Sequence, residues 1–384
     1  MGIAVHSSKV NGAGWGTALP KEMTMVMSNK LTRRELFGSF GGAVALASLH
    51  YRATAAQSTP VRRTPDIGGA LIILTTPYTE SGEVDYDDLA HEVRFLNQCG
   101  TKSFVWGQLE FNLTKEQRFK CMEVVAKANQ GQKAKFGLGA QGKDSAEMLD
   151  IARYAETLNP DMIISRPANS GSTQDDVRAY YTALAKATKR PVIIQTGGGS
   201  VLPSVEVLVD LARQYPNFGY IKEESTGNGQ TVVERQIAEC QNRPPLRSVM
   251  SANFALGLLY EMRIGVDGVV TGSAMFADVL TKMWDLHLQN KTDQVLDAYS
   301  KYMLVRRVPQ IGDVDLYYFR KRGIFKPTTK LRPAGGGGRG NGRSGGNQEE
   351  QPPFTALQTA ELDARFAALK PYLSGPVAEP GSTK

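Results

Sequence analysis

Lys222 is the residue best placed to do chemistry. It closes the apolar run Gly219-Tyr220-Ile221-Lys222-Glu223 and is followed by Glu224-Ser225-Thr226-Gly227. A lysine at the end of a strand inside a closed sheet has apolar walls around it. Desolvation disfavours the ammonium, lowers its pKa and leaves the neutral amine that attacks a carbonyl carbon. The competing reading is an ion pair with Glu223 or Glu224, and the local sequence leaves both open. Other strand ends carry polar groups. Arg166 follows Met162–Ser165; it is either a bidentate carboxylate clamp or a rim ion pair. Glu110 is an acid or base if buried and a rim carboxylate if not. Gly197-Gly198-Gly199 offers bare backbone N–H groups that cradle an anion, or else a flexible turn. Trp106 and Phe111 read as packing rather than as a sugar-stacking platform.

Such side chains act only if a sheet holds them. Eight runs, 70–74, 103–107, 135–140, 162–165, 192–195, 219–223, 247–251 and 268–272, are continuously apolar and β-rich. That is the pattern of parallel strands buried on both faces. Amphipathic helical patterns separate them at 85–98, 114–129, 145–158, 174–187, 203–214, 230–240, 254–264 and 277–289. The second opens on a capping box, Thr114 to Gln117. Strand then helix, eight times over, is the α/β (β/α)8 TIM barrel, whose active sites form at the C-terminal strand ends. A doubly wound open sheet would carry a glycine-rich phosphate loop after its first strand, where this chain has Leu74-Thr75-Thr76-Pro77-Tyr78. Extra C-terminal helices are expected at 293–305, 314–322 and 355–373. Between the last two, residues 334–348 are almost all Gly, Arg, Asn and Ser, a composition that buries nothing.

The net charge of +7 is unevenly spread. Residues 1–63 hold eight basic and two acidic residues and so carry +6, leaving +1 on the other 321. A near-neutral body lacks the electrostatic footprint of a nucleic-acid binder. Cys99, Cys121 and Cys240 form no CxxC pair and no disulfide framework. With four histidines and no HxxxH, no metal site is expected, and no cofactor. The basic N-terminus reads as an address. Thr32-Arg33-Arg34-Glu35-Leu36-Phe37 is a twin-arginine pattern, followed by a Gly- and Ala-rich apolar run and the small-x-small site Ala53-Thr54-Ala55. The run is too short and Gly-rich to span a bilayer comfortably. Met23, Met25 and Met27 each offer a shorter leader, so residues 1–22 read as an upstream start. The expected organisation is an export leader at 1–57, a barrel at 64–305, a helical extension at 306–333, a Gly-rich flexible insert at 334–350 and a terminal helix and tail at 351–384. The mature protein is expected in the periplasm, exported by the twin-arginine route, with no membrane attachment.

Four stretches resemble the dihydrodipicolinate synthase / N-acetylneuraminate lyase family. They are Gly69-Ala70 through Thr75-Thr76-Pro77-Tyr78 with Gly82-Glu83-Val84-Asp85; Leu113-Thr114-Lys115-Glu116-Gln117-Arg118; Tyr220-Ile221-Lys222-Glu223; and Gly265-Val266-Asp267-Gly268-Val269-Val270-Thr271-Gly272. The resemblance covers residues 68 to about 333 and the final helix, so 334–348 reads as an insertion. It implies a TIM barrel, commonly a tetramer, in which Lys222 forms an imine with a 2-keto acid such as pyruvate.

The departures carry equal weight. Where the family has a relay tyrosine in a "YNxP" motif, this chain has Gln195, in Ile194-Gln195-Thr196-Gly197, with no arginine following. Its "GTTGE" loop is replaced by Gly107-Gln108-Leu109-Glu110-Phe111, its "TPYY" by Ser165-Arg166-Pro167-Ala168, and its "SGxD" by Ser251-Ala252-Asn253. A glutamine amide cannot serve as a general acid or base. The expectation is a Schiff-base lyase or aldolase acting on a 2-oxo acid or sugar-acid-like small molecule. Lys222 is its nucleophile; Thr75, Thr76, Gln108, Gln195, Thr196 and Val270 line the pocket; Arg166 anchors a carboxylate. The assembly is expected to be a homo-oligomer, a tetramer or a dimer. The alternative is a non-catalytic exported barrel that binds a small carbonyl or acidic ligand. Lysine biosynthesis itself is disfavoured by the altered cradle and the export leader.

Overall fold

A computed structural model describes residues 65–377 except 109, 111, 225–233, 235, 239–245, 307, 309–310, 312–313 and 332–352. The chain divides into two units, Met1–Thr59 and Pro60–Lys384, and the described residues all belong to the second. The leader at 1–57, the insert at 334–350, Phe111 and Cys240 lie outside them.

Eight strands form one closed parallel barrel in sequence order: β1 Gly69–Ile73, β2 Ser103–Trp106, β3 Lys135–Gly139, β4 Met162–Ser165, β5 Val192–Gln195, β6 Tyr220–Glu223, β7 Ser248–Ser251 and β8 Gly268–Thr271. Closure is made by β1, which pairs Leu71 with Ser103 of β2 and with Val270 of β8. Side chains alternate between two faces along each strand. Leu71, Ile73, Val105, Met162, Ile164, Ile193, Tyr220, Met250 and Val270 pack together as the inner core. The intervening residues, among them Ile72, Phe104, Trp106, Leu138, Ile163, Ile194 and Ile221, join the larger core shared with the helices. Both faces are apolar, which is why the strands lack polar alternation in sequence.

The outer helices are α1 Tyr86–Gln98, α2 Lys115–Asn129, α3 Ser145–Thr157, α4 Gln174–Ala187, α5 Val205–Gln214, α6 Leu258–Ile264 and α7 Ala277–Leu288. Side-chain oxygens of Asp85, Thr114, Asp144, Thr173 and Ser204 cap α1 to α5, each contributing about 1 kcal/mol. The capping box at Thr114 and Gln117 is formed as its sequence predicts. Of the helix expected at 230–240, residues 236–238 are helical and most of the rest lies outside the described residues.

The helix expected at 254–264 starts late. Asn253, Phe254 and Ala255 adopt φ values of 49°, 58° and 61° in a short turn, and α6 begins only at Leu258. Consecutive left-handed residues cost energy in L-chains, and no glycine marks the turn in sequence.

Beyond the barrel lie α8 Thr292–Arg306, α9 Asp315–Lys321 and α10 Ala356–Ala367. Arg322 ties this extension to the barrel. Its guanidinium is fully buried against Asp278, with Nη2 donating to Oδ2 at 2.8 Å. It also donates to the carbonyls of Met275 and Pro376 and lies 4.8 Å from the centre of the Phe95 ring. Asp278 Oδ2 further accepts from the backbone N–H groups of Ser374 and Gly375. Among the described residues, no helix is long and apolar enough to cross a membrane.

Candidate active site

Strand parity places the site. Tyr220 and Ile193 belong to the inner core, so Lys222 and Gln195, two residues further on, share that face. The register sets Gln195 beside Lys222 and Lys222 beside Met250. Lys222 is 2% exposed. Its Nζ donates to Gln195 Oε1 at 3.0 Å and lies 2.7 Å from Glu224 Oε1. Glu224 stands two residues beyond Lys222, on the same side, and its side chain keeps 24% exposure. Glu223 turns the other way, where it accepts from Gln236 Nε2. The ion pair left open by the sequence is therefore made with Glu224.

Burial pulls the Lys222 ammonium below the ordinary lysine range. The charge and hydrogen bond of Glu224 oppose that fall, and the nearby Arg166 guanidinium reinforces it. The group is a desolvated amine with one carboxylate and one carbonyl as partners. This is the environment that makes a lysine reactive.

Arg166, at the end of β4, is buried. Burial lowers its pKa, and the charge of Glu224 counteracts the shift. Its Nη2 donates to Asn169 Oδ1 at 3.1 Å. The glycine run makes room for these groups. A Cβ on Gly198 would sit 2.9 Å from Arg166 Cζ, one on Gly197 would sit 2.8 Å from Glu224 Cβ, and one on Gly199 would sit 2.4 Å from Pro167 Cβ. Gly198 also has φ +91°, which L side chains rarely adopt. Arg166 and Glu224 can thus approach the backbone that follows β5 because it is bare.

Thr196 acts on the backbone. Its N–H donates to the Lys222 carbonyl at 3.0 Å, and its Oγ1 accepts from Glu224 N–H at 2.7 Å. The two contacts fix where β6 ends and where Glu224 leaves it. Val270 faces the inner core beside Leu71. Thr75 donates its N–H to both carboxylate oxygens of the buried Glu92 at 3.1 Å. Thr76 Oγ1 donates to Glu110 Oε1 at 2.9 Å and accepts from Trp106 Nε1 at 3.2 Å. Since Trp106 packs in the outer core, Thr76 and Glu110 form a polar link on the helix side of the first two strands.

Gln108 is 1% exposed, and among the described residues neither of its amide atoms has a hydrogen-bond partner. A buried amide left so costs about 1–3 kcal/mol. Beside it, the Gly107 carbonyl accepts from Arg118 Nη2 and from Gln141 Nε2. Gln141 and Arg118 are fully buried polar groups that sequence reasoning missed. Neither adjoins a strand-end motif, and only the closeness of β2 and β3 reveals them. Glu224 entered the sequence reading only as an alternative to Glu223 for an ion pair. Its spacing of two from Lys222 was the available signal, because residues two apart on a strand share a face.

Cys99 and Cys121 are buried free thiols. Burial raises both pKa values, that of Cys99 to about 12, so neither supplies a thiolate. No group of three or more His, Cys, Asp or Glu that could hold a metal occurs among the described residues.

Comparison with known proteins gives relatives named 4-hydroxy-tetrahydrodipicolinate synthase. The chain is 27% identical over 215 residues to the 4-hydroxy-tetrahydrodipicolinate synthase of Chlorobaculum parvum, covering 54% of this chain and 70% of that one. It is 28% identical over 280 residues to that of Chlorobium luteolum, covering 70% of this chain and 92% of the relative. Among solved structures it superposes on dihydrodipicolinate synthase from Rhodopseudomonas palustris with a TM-score of 0.63 at 19% identity, covering 80% of this chain and 99% of that one. The enzyme from Methylacidiphilum fumariolicum gives 0.63 at 17% identity, covering 80% and 97%. At such identities the structural match speaks to the fold. No protein-family model matches the chain.

Proposed function

As the chain is a divergent member of the dihydrodipicolinate synthase family, we propose that it is a class I, Schiff-base lyase or aldolase acting through Lys222. The observation that carries this reading is the lysine itself. Its amine is 2% exposed at the C-terminal end of a barrel strand, with its pKa lowered by burial. The substrate class is a small 2-oxo acid or sugar-acid-like molecule. Its carbonyl carbon receives the amine, and its carboxylate pairs with Arg166, whose planar guanidinium suits bidentate contact. Gln108 offers its unpaired amide to a substrate hydroxyl or carbonyl. Gln195 holds the ammonium but moves no proton, since an amide does not titrate in the useful range.

The mature chain is a homo-oligomer, a tetramer or dimer, exported by the twin-arginine route and cleaved near Ala55. N-terminal sequencing and sedimentation test these two points. The non-catalytic alternative has one observation in its favour: Lys222 rests in an ion pair with Glu224, as a purely structural lysine would.

Borohydride trapping separates the two. The protein is incubated with pyruvate and a panel of oxo acids and sugar acids, reduced, and weighed intact. A mass increment that Lys222→Ala abolishes supports the lyase. Absence of any adduct in folded protein supports the binding barrel.

A further inference from the structure

We infer that Glu224 is the proton-transfer group of this site, serving both as base toward Lys222 and as acid toward the substrate oxygen. The inference rests on the Schiff-base reading above. Imine formation must move protons, and the groups around Nζ can be sorted by whether they are able to. Gln195 touches Nζ but does not titrate. Arg166 stays protonated at any working pH. Tyr220 lies one layer deeper on the same face, and its hydroxyl interacts with Arg247 and Asp66, the latter just upstream of β1, toward the opposite end of the barrel. Glu223 faces outward to Gln236. Among the described residues Glu224 remains: a carboxylate 2.7 Å from Nζ, within the range for direct transfer.

Its exposure matters as much as its distance. Lys222 is 2% exposed and the Glu224 side chain 24%, so the carboxylate spans from the buried amine to the open side where a carbonyl oxygen would lie. The Thr196 hydroxyl, which accepts from Glu224 N–H, fixes its backbone. The absence of a Cβ on Gly197 lets its side chain pack against the backbone that follows β5.

The steps balance. The ammonium gives a proton to the Glu224 carboxylate, leaving a neutral amine beside a neutral acid. The amine attacks the carbonyl carbon; the C–N bond forms, the C–O π bond breaks, and the acid protonates the oxygen. The nitrogen, now bearing positive charge, returns a proton to Glu224. Glu224 then protonates the hydroxyl, water leaves, and the iminium forms. The net change is ammonium plus carbonyl giving iminium plus water. Glu224 ends as a carboxylate paired with the cation.

The test is the rate of formation of reducible adduct with pyruvate, quenched with excess borohydride and read by intact mass. It is run on the full chain from roughly pH 5 to 9, for the wild type, E224Q, E224D and K222A. Loss of a general acid–base group slows E224Q by about a hundredfold or more across this range, and E224D recovers part of the rate. A mere counter-ion gives the opposite sign. Removing an anion from beside an ammonium lowers the lysine pKa, so E224Q would trap at least as fast as wild type at neutral pH. That outcome overturns the inference, provided E224Q melts like the wild type; if it does not, E224D trapping at the full wild-type rate with an unchanged pH profile overturns it. Adduct absent from the wild type defeats the Schiff-base reading itself, a result distinct from either.

Discussion

Replacing Gln195 by leucine removes the one neutral acceptor on the Lys222 ammonium and keeps the side chain close in volume. Gln195 Oε1 takes its hydrogen bond from Nζ at 3.0 Å, with Gln195 itself 2% exposed. Water therefore does not readily replace it. A hydrogen bond to a charged group contributes about 1.5–3 kcal/mol and a neutral one about 0.5–1.5. The carbonyl thus favours the ammonium over the amine by about 1 kcal/mol or slightly more. One pKa unit is about 1.4 kcal/mol, so Gln195→Leu shifts the ammonium–amine balance by nearly tenfold toward the amine. The assay is the pH dependence of reducible-adduct formation with pyruvate. The acid limb of the profile moves toward lower pH by about one unit, and trapping below that limb becomes faster than in wild type. An acid limb that stays in place, or that moves upward, refutes the claim that Gln195 stabilises the charged form.

Three further outcomes are expected. Lys222→Met abolishes trapping; it exchanges a desolvated ammonium for an apolar side chain and leaves Gln195 Oε1 and Glu224 without that partner. The folded-state pKa of Lys222 lies below its unfolded value, so its cost is fully present at low pH and fades as pH climbs to the unfolded lysine range. The melting temperature of Lys222→Met relative to wild type therefore falls as pH rises toward the unfolded lysine range. Arg322→Met strands the buried Asp278 carboxylate and costs about 3–5 kcal/mol in chemical denaturation. Gly198→Ala places a Cβ 2.9 Å from Arg166 Cζ at φ +91°; it destabilises by about 1 kcal/mol or more, and it weakens pyruvate binding in a trapping titration more than Gly272→Ala, where no atom lies within 4 Å of the added Cβ.

The barrel was legible because its strands are buried on both faces. Runs such as Met162–Ser165 and Val192–Gln195 are apolar throughout, and their observed bounds match the sequence pattern. Thr114 and Gln117 announced a helix start that the structure forms. The turn at Asn253, Phe254 and Ala255 was not legible, since nothing in Phe or Ala signals a positive φ. At the site, Lys222 was readable from its place at a strand end. Its partner was a matter of parity: Glu224 shares its face and Glu223 does not, and the sequence shows that only once the strand is known to continue straight. The outward link from Thr76 to Trp106 and Glu110, and the buried Gln141 and Arg118, depend on how neighbouring strand ends converge. Local sequence does not encode that convergence.

Covalent chemistry at one nitrogen, Lys222 Nζ, underlies the proposed function. Its most direct test is a crystal structure of the protein after incubation with pyruvate and reduction with borohydride. The account predicts continuous density from Lys222 Nζ to the former carbonyl carbon, with the carboxylate on Arg166 and Glu224 within hydrogen-bonding distance of the new secondary amine. An unmodified Lys222 still paired with Glu224, or an adduct on a surface lysine alone, would contradict it.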